Sequence, residues 1–283
     1  MSQISAQPAQ TRSARPGVIG DLKKNGILIA ELVRRQMGIR TSGTMLGIIW
    51  WVLTPLLLLI AYMFAFRFIL GVRWPQNEAN PASTMQHATQ LFAGLIVYQF
   101  FSEAILGATR QITTNEQYVR RVVFPIQTLP VIPVVVSGFG LMISTLVLII
   151  MVASTGGGIQ ATAILAPVAM LPALLTALGL AWLVAALCVF LRDLEHLLRV
   201  LMLGIMFLSP IFYPLSRLED AAGSWVSYFH PLAVSMNQVR ACVFDPSSIG
   251  SLPWLSGLGI GLVLVFLGHT VFTRLKPMMA DVL

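Results

Sequence analysis

Long apolar runs separated by short polar links dominate the chain. Met45 to Phe66 carries no charged residue, and further runs follow at roughly Leu91–Thr109, Pro133–Ala153, Ile159–Leu191, Leu197–Pro214 and Trp254–Thr273. A helix rises about 1.5 Å per residue, so about 20 apolar residues cross a hydrocarbon core of about 30 Å. The runs therefore predict six membrane-spanning helices. A closed barrel would instead show alternating segments of about 10 residues, and the runs do not alternate in that way. The expected fold is an all-α polytopic membrane protein. The fourth run exceeds the length of one span, and Pro167 and Pro172 predict a kink within it or a beginning at the outer interface.

A different pattern precedes the first run. Over Asp21–Arg40, Leu22, Ile29, Leu32, Val33 and Gln36 gather near one side, and Lys23, Lys24, Glu31, Arg34 and Arg35 lie largely elsewhere. This is the pattern of a basic amphipathic helix lying in the headgroup plane, and Glu31 and Arg35 have the i,i+4 spacing of a pair. It fits a topological anchor and a docking element equally. The polar, acid-poor residues ahead of it lack the apolar centre of a secretory signal. The expected organisation is a disordered cytosolic tail at 1–20, an interface helix at 21–44, a transmembrane domain at 45–276 and a cytosolic tail at 277–283.

Composition agrees with the pattern: 57% of residues are hydrophobic, 10% are charged, and mean hydropathy is +0.82. Charge adds orientation. Of the 18 Lys and Arg, fourteen fall in the N-terminal segment, the links after spans two and four, and the C-terminal tail. Arg73, Arg217 and Arg240 fall on the other side, and Arg67 sits at the edge of span one. Basic residues accumulate on the cytosolic face, so both termini are expected in the cytosol. The same distribution accounts for the high pI without a nucleic-acid partner. Cys188 and Cys242 lie far apart and predict no disulfide framework.

Candidate chemistry is sparse. The chain has no GxxxxGK[ST], HExxH or GxSxG, and its four histidines are scattered. No acid, base and nucleophile come together, and no Cys/His cluster has metal-ligand spacing. Glu103 is the one acidic residue well inside a predicted span. An ionisable group there faces protein or water: either a polar contact in a conduit or at a subunit interface, or a carboxyl satisfied near Tyr98, Gln99 or Ser102. After span five, SPIFYPLSRLEDAAGSWVSYFHPL breaks the apolar pattern with Pro210 and Pro214, which are expected to end that span. The segment is too irregular for a span and too aromatic for an ordinary loop.

Four patterns in order along the chain resemble the permease subunits of bacterial ABC-2-type polysaccharide exporters of the capsular polysaccharide and O-antigen class. They are RRQMGIRTSGTMLGIIWWVLTP at Arg34–Pro55, FFSEAILGATRQITTNEQYVRRVVFP at Phe100–Pro125, FLRD at Phe190–Asp193, and SPIFYP followed by HPL and Arg240. His230 stands where that family commonly has Asn. The resemblance covers about Ile27 to Lys276.

It implies a homodimer in the bacterial inner membrane, paired with two copies of a separate ABC-type ATPase that binds ATP and Mg²⁺; no cofactor is expected on this chain. The cargo would be a lipid-linked polysaccharide, with a periplasmic adaptor in a capsule system. A glycan presents apolar C–H faces to aromatic rings, so Trp50, Trp51, Tyr62, Phe66, Tyr98, Phe100 and Phe101, with Glu103, are candidates for the conduit wall. Arg34, Arg35, Arg40, Arg192 and Arg199 are candidates for binding the anionic group near the lipid; membrane lipid is the alternative ligand for each. Glu116, Tyr118, Arg120 and Arg121 are candidates for ATPase coupling. The resemblance also implies re-entrant periplasmic helices between spans five and six, with Pro210, Phe212, Tyr213, Pro214, Trp225, Tyr228, Phe229 and Pro231 forming an exit gate. A plain loop with an aromatic belt is the alternative there. Other expectations are a teichoic-acid or other glycolipid permease and, from a different class, a membrane-embedded glycan-modifying enzyme.

Overall fold

The computed structural model describes residues 25–42, 45–69, 84–119, 124–154 and 160–282, and none of these is in a β-strand. Helix α1 (Gly26–Ser42) is followed by a 3-10 turn at Gly47–Ile49, then α2 (Trp50–Met63) and a π-helical stretch at Phe64–Ile69. Helix α3 (Thr84–Thr109) leads into the short α4 (Gln111–Thr114) and α5 (Glu116–Val119). Then come α6 (Val131–Ser154), the four-residue α7 (Ala166–Ala169) and α8 (Leu171–Phe190). After α9 (Leu194–Leu208) lie α10 (Leu215–Ala222), α11 (Val226–Phe229), α12 (Pro231–Phe244) and α13 (Ser251–Val282).

Among the described residues, four stretches are long and apolar enough to cross a membrane: Met85–Thr109, Ile126–Ser154, Ala161–Phe190 and Ser251–Met279. The first predicted span appears as a shorter apolar helical stretch, Gly47–Met63, and the fifth as the 15-residue α9. The first is divided between the 3-10 turn, α2 and the π-helical stretch, and Pro55 lies buried inside α2. The fifth ends at Leu208, where Ser209 turns extended ahead of Pro210. In the fourth run the helix breaks at Met170, with Pro167 and Pro172 each in the first turn of the helix that follows it. A proline is tolerated there because the first-turn N–H groups have no intrahelical partner. The sixth helix runs on through Pro277 to Val282, beyond the boundary expected for a tail.

Helix α3 is the central element. Leu91, Phe92, Ala93 and Val97 have no exposed surface, and Leu95, Ile96 and Ile105 have almost none. Helices α6 and α8 pack against it, and α13 packs along α8. The α8–α13 contact depends on glycine. A Cβ on Gly179 would lie 2.6 Å from the Leu264 carbonyl oxygen, and one on Gly268 would run into the Gly179 carbonyl. Between apolar helices in lipid, attraction comes from close backbone approach, which small residues permit. Trp182 closes this layer: its indole N–H donates to the Gln127 carbonyl at 2.9 Å, and its ring meets His269 edge to face at 5.3 Å.

Helix α1 packs Ile29, Leu32 and Met37 against the core and buries Val33. Its Ile27 and Ile39 remain 88% and 68% exposed. Helix α9 is bound on one face only. Leu198, Met202 and Met206 are buried, and Leu197, Val200, Leu203, Phe207 and Leu208 are exposed. That leaves a continuous apolar face along α9 that none of the described residues covers.

Candidate functional site

Polar side chains gather at two ends of the bundle. At the end where α3 finishes, Arg40 of α1 donates from Nη1 to Glu103 Oε2 at 2.9 Å, and its guanidinium lies 5.0 Å from the centre of the Trp51 ring. Gln99 Nε2 donates to the other Glu103 oxygen at 3.3 Å. The costly carboxyl in α3 is therefore paired with a cation from α1 and an amide one turn away. These groups line a cavity of about 30 Å³ with Thr54, Ser137 and Ser144, room for about two water molecules. Trp51 Nε1 and Gln99 Oε1 are buried there without a hydrogen-bond partner.

Farther toward the same end, Arg110, in the turn after α3, donates from Nε to Glu195 Oε2 at 2.6 Å. Arg199 donates from Nη2 to Glu195 Oε1, also at 2.6 Å. Glu195 sits in the first turn of α9, ahead of its apolar run. The two guanidinium groups favour its charged form and hold its carboxyl down at about 2, against an ordinary 4.5. The Arg110–Glu195 bond ties the start of α9 to the end of α3, and Arg199 braces Glu195 from within α9.

At the opposite end, Arg240 of α12 is buried. Its Nη1 donates to the Pro210 carbonyl at 2.6 Å, its Nη2 to the Ile211 carbonyl at 3.1 Å and its Nε to the Gln90 carbonyl at 3.1 Å. The two carbonyls after α9 lie in a helix break, where backbone acceptors have no ladder partner. Gly94 makes room for this contact, since a Cβ there would stand 2.6 Å from Arg240 Nη2. Between the two ends, the Tyr98 hydroxyl donates to the Met202 carbonyl at 2.9 Å. Helix α9 is thus joined to α3 by polar contacts at its start, its middle and just past its end.

The aromatic residues after α9 divide into two groups. Phe212 is buried, edge to face with Tyr62 at 5.2 Å and tilted against Phe207 at 5.8 Å. Tyr213 donates its hydroxyl to the Phe207 carbonyl at 2.8 Å. Trp225, Tyr228 and Phe229 are instead exposed. Pro231 is the first residue of α12, and His230 caps that helix by accepting from the Ala233 N–H at 3.2 Å. Asn is a strong N-cap residue, so His at this position keeps the capping acceptor that Asn would supply.

The profile of the ABC-2 type transporter family matches residues 28–244. The chain belongs to the ABC-2 transporter family. It is 27% identical over 255 residues to the O-antigen export system permease protein RfbA of Myxococcus xanthus, an alignment covering 90% of this chain and 94% of that protein. It is 22% identical over 258 residues to a protein of the same name from Klebsiella pneumoniae, covering 90% and 95% respectively.

Within this ABC-2 chain the sequence-chosen residues fall in distinct places. Of the conduit candidates, Phe100 and Phe101 are buried in the core, Trp51 is buried beneath Arg40, and Trp50 is exposed. Tyr62 donates to Met206 Sδ at 3.2 Å, so it and Tyr98 both meet α9. The side chain of Phe66 lies outside the described residues. Of the anion candidates, Arg40 and Arg199 are engaged in ion pairs, and Arg34, Arg35 and Arg192 are exposed. Glu116 begins α5, whereas the Tyr118 side chain, Arg120 and Arg121 lie outside the described residues. Glu195 escaped the sequence reading. Its i,i+4 spacing to Arg199 was the available signal, and its partner Arg110 is 85 residues away.

Two outcomes follow from the ties on α9. Arg240→Met leaves the Pro210 and Ile211 carbonyls without that donor, at about 1–3 kcal/mol each. The denaturation midpoint in detergent should fall markedly, with Arg240→Lys intermediate; an unchanged midpoint for Arg240→Met would refute the anchor. Glu195 has a lowered pKa, so its contribution is present above about 4.5 and is lost as pH falls toward about 2. The stability difference between wild type and Glu195→Gln should shrink over that window; a constant difference would show that ionisation of Glu195 is irrelevant.

Proposed function

We propose that this chain is the transmembrane subunit of an ATP-driven exporter that moves a lipid-linked polysaccharide, O-antigen or capsule, across the bacterial inner membrane. The observation that carries this reading is the alignment over nine-tenths of the chain with permeases named for O-antigen export, within a matched ABC-2 family. The chain has no P-loop, so ATP and Mg²⁺ belong to two copies of a separate ATPase subunit. A second copy of this chain completes the conduit, and the uncovered apolar face of α9 supports that assignment. In a capsule system a periplasmic adaptor joins the assembly.

In this reading both termini face the cytosol, on the distribution of Lys and Arg. Helices α2 and α9 complete six spans, and the aromatic segment beyond Pro210 forms re-entrant helices that gate the periplasmic exit. Irregular backbone at membrane depth needs surrounding protein or water, and the carbonyls held by Arg240 meet that need. The Arg40 end then faces the ATPase, with the segment from Gln111 to Arg121 as the contact.

Co-expression with the ABC-type ATPase of its gene neighbourhood should yield a stable complex that Arg120→Ala/Arg121→Ala weakens while insertion persists. Undiminished recovery of the ATPase would sink the coupling assignment. Ser227→Cys should resist a bulky impermeant thiol reagent in resting cells; rapid labelling would argue for an open loop in place of a gate.

A further inference from the structure

At the end of the bundle that Arg240 holds, α10 lies over a cavity of about 420 Å³ whose other walls come from α3 and α12. Ligand pockets commonly fall between about 300 and 1,000 Å³. Arg240 is part of the wall, with its guanidinium committed to the three carbonyls described above. Other polar groups of the wall are not committed in this way. Glu219 of α10, Asn237 of α12 and Gln90 of α3 line the cavity, and their side chains make no hydrogen bond or ion pair with the described residues. Asp245, at the end of α12, spends one carboxylate oxygen on Ser247 and keeps the other. Helix α10 buries none of its residues, so the cavity opens beneath a surface helix.

These groups select a ligand by what they exchange. The two carboxylates only accept, whereas the two amides both donate and accept. A hydroxyl also does both, so neighbouring hydroxyls match a carboxylate and an amide side by side. Phe244 lines the same cavity and offers aromatic surface to the C–H face of a sugar ring. Charge narrows the choice. Glu219 and Asp245 repel a phosphate or a uronate carboxylate, and the one guanidinium present is turned to backbone carbonyls. An aliphatic ligand would leave the amides and carboxylates without partners, at a cost. A metal ion finds too few ligands, since no group of three or more His, Cys, Asp and Glu comes together among the described residues. An uncharged ring bearing several hydroxyls satisfies every group at once.

We propose that this cavity is a subsite for a neutral sugar residue of the cargo, at the end assigned to the periplasm. The inference rests on the exporter reading for the identity of the cargo; the chemistry of the cavity supplies the class of sugar. Glu219 and Asp245 accept from ring hydroxyls, Asn237 and Gln90 donate and accept, and Phe244 covers a C–H face. Glu219 belongs to α10 and the other groups to α3 and the end of α12, so a bound sugar joins the surface helix to the bundle.

The test uses the full-length chain in nanodiscs with no ATPase present. Saturation-transfer NMR reads binding of methyl α-mannopyranoside, methyl β-galactopyranoside, methyl α-rhamnopyranoside and, as the acidic counterpart, glucuronate. At least one neutral pyranoside should receive saturation, and glucuronate should receive none. Glu219→Ala should weaken the binding about tenfold, as expected for loss of a hydrogen bond to a charged group. Asp220→Asn removes the same charge from α10 outside the cavity and should change binding less than about twofold. Glu219 makes no bond within the described residues, so an unchanged denaturation midpoint should accompany the loss of binding in Glu219→Ala. Silence from every neutral pyranoside would overturn the subsite, as would equal loss in the two variants or equal binding of glucuronate. Export by the chain with its ATPase is read separately. If a lipid-linked glycan is exported and no pyranoside binds, the subsite alone fails. If pyranosides bind and no glycan is exported, the exporter reading fails, and with it the assignment of the sugar as cargo.

Discussion

The guanidinium of Arg240 is the interaction on which the far end of this bundle depends. A helix that stops inside an apolar environment leaves carbonyls that water cannot reach. The chain stops α9 at Leu208 and then passes through Pro210 and Ile211, whose carbonyls accept from Arg240. The same side chain reaches the Gln90 carbonyl in α3. Three separate parts of the chain, α3, α12 and the break after α9, are thereby held around one planar donor. Gly94 is part of the arrangement, because any side chain there would occupy the space of the guanidinium. The irregular aromatic segment that follows takes its starting position from this contact.

The other end is built differently. Arg40–Glu103 and the Arg110–Glu195–Arg199 cluster use charged pairs whose arginines are about half exposed or more. Pairs of that kind contribute little each and weaken with salt. Helix α9 is therefore gripped firmly by buried backbone contacts at one end and lightly by exposed charges at the other. Arg110 meets α9 at its lightly held end, and Arg240 holds the opposite end.

The α8–α13 layer is packed backbone against backbone. With Gly179 and Gly268 bringing two backbones into contact, neither helix can shift without opening a gap. Helix α3 is buried between this layer and α9. One side of the bundle is thus closely packed, and on the other side helices α1, α2 and α9 expose apolar side chains among the described residues.

Much of this was legible in the sequence because hydrophobic period and charge bias are local properties. Four of the six apolar runs located helices long enough to cross a membrane, the prolines marked the breaks near Met170 and after Leu208, and the motifs from Arg34 to Arg240 pointed to the ABC-2 family. Lengths were less legible. Met45–Phe66 has no charge from end to end, yet it divides into three kinds of turn with Pro55 buried inside α2. Of the pairings, only the local one between Gln99 and Glu103 was legible. Glu103 signalled a partner without naming Arg40, and Arg240, although part of the fourth motif, gave no sign of the carbonyls it meets. A run of apolar residues by itself determines that a segment will enter lipid, because transfer free energy sums over its own side chains. Which carbonyl meets which guanidinium depends on residues dozens of positions apart, and only the packed helices decide it.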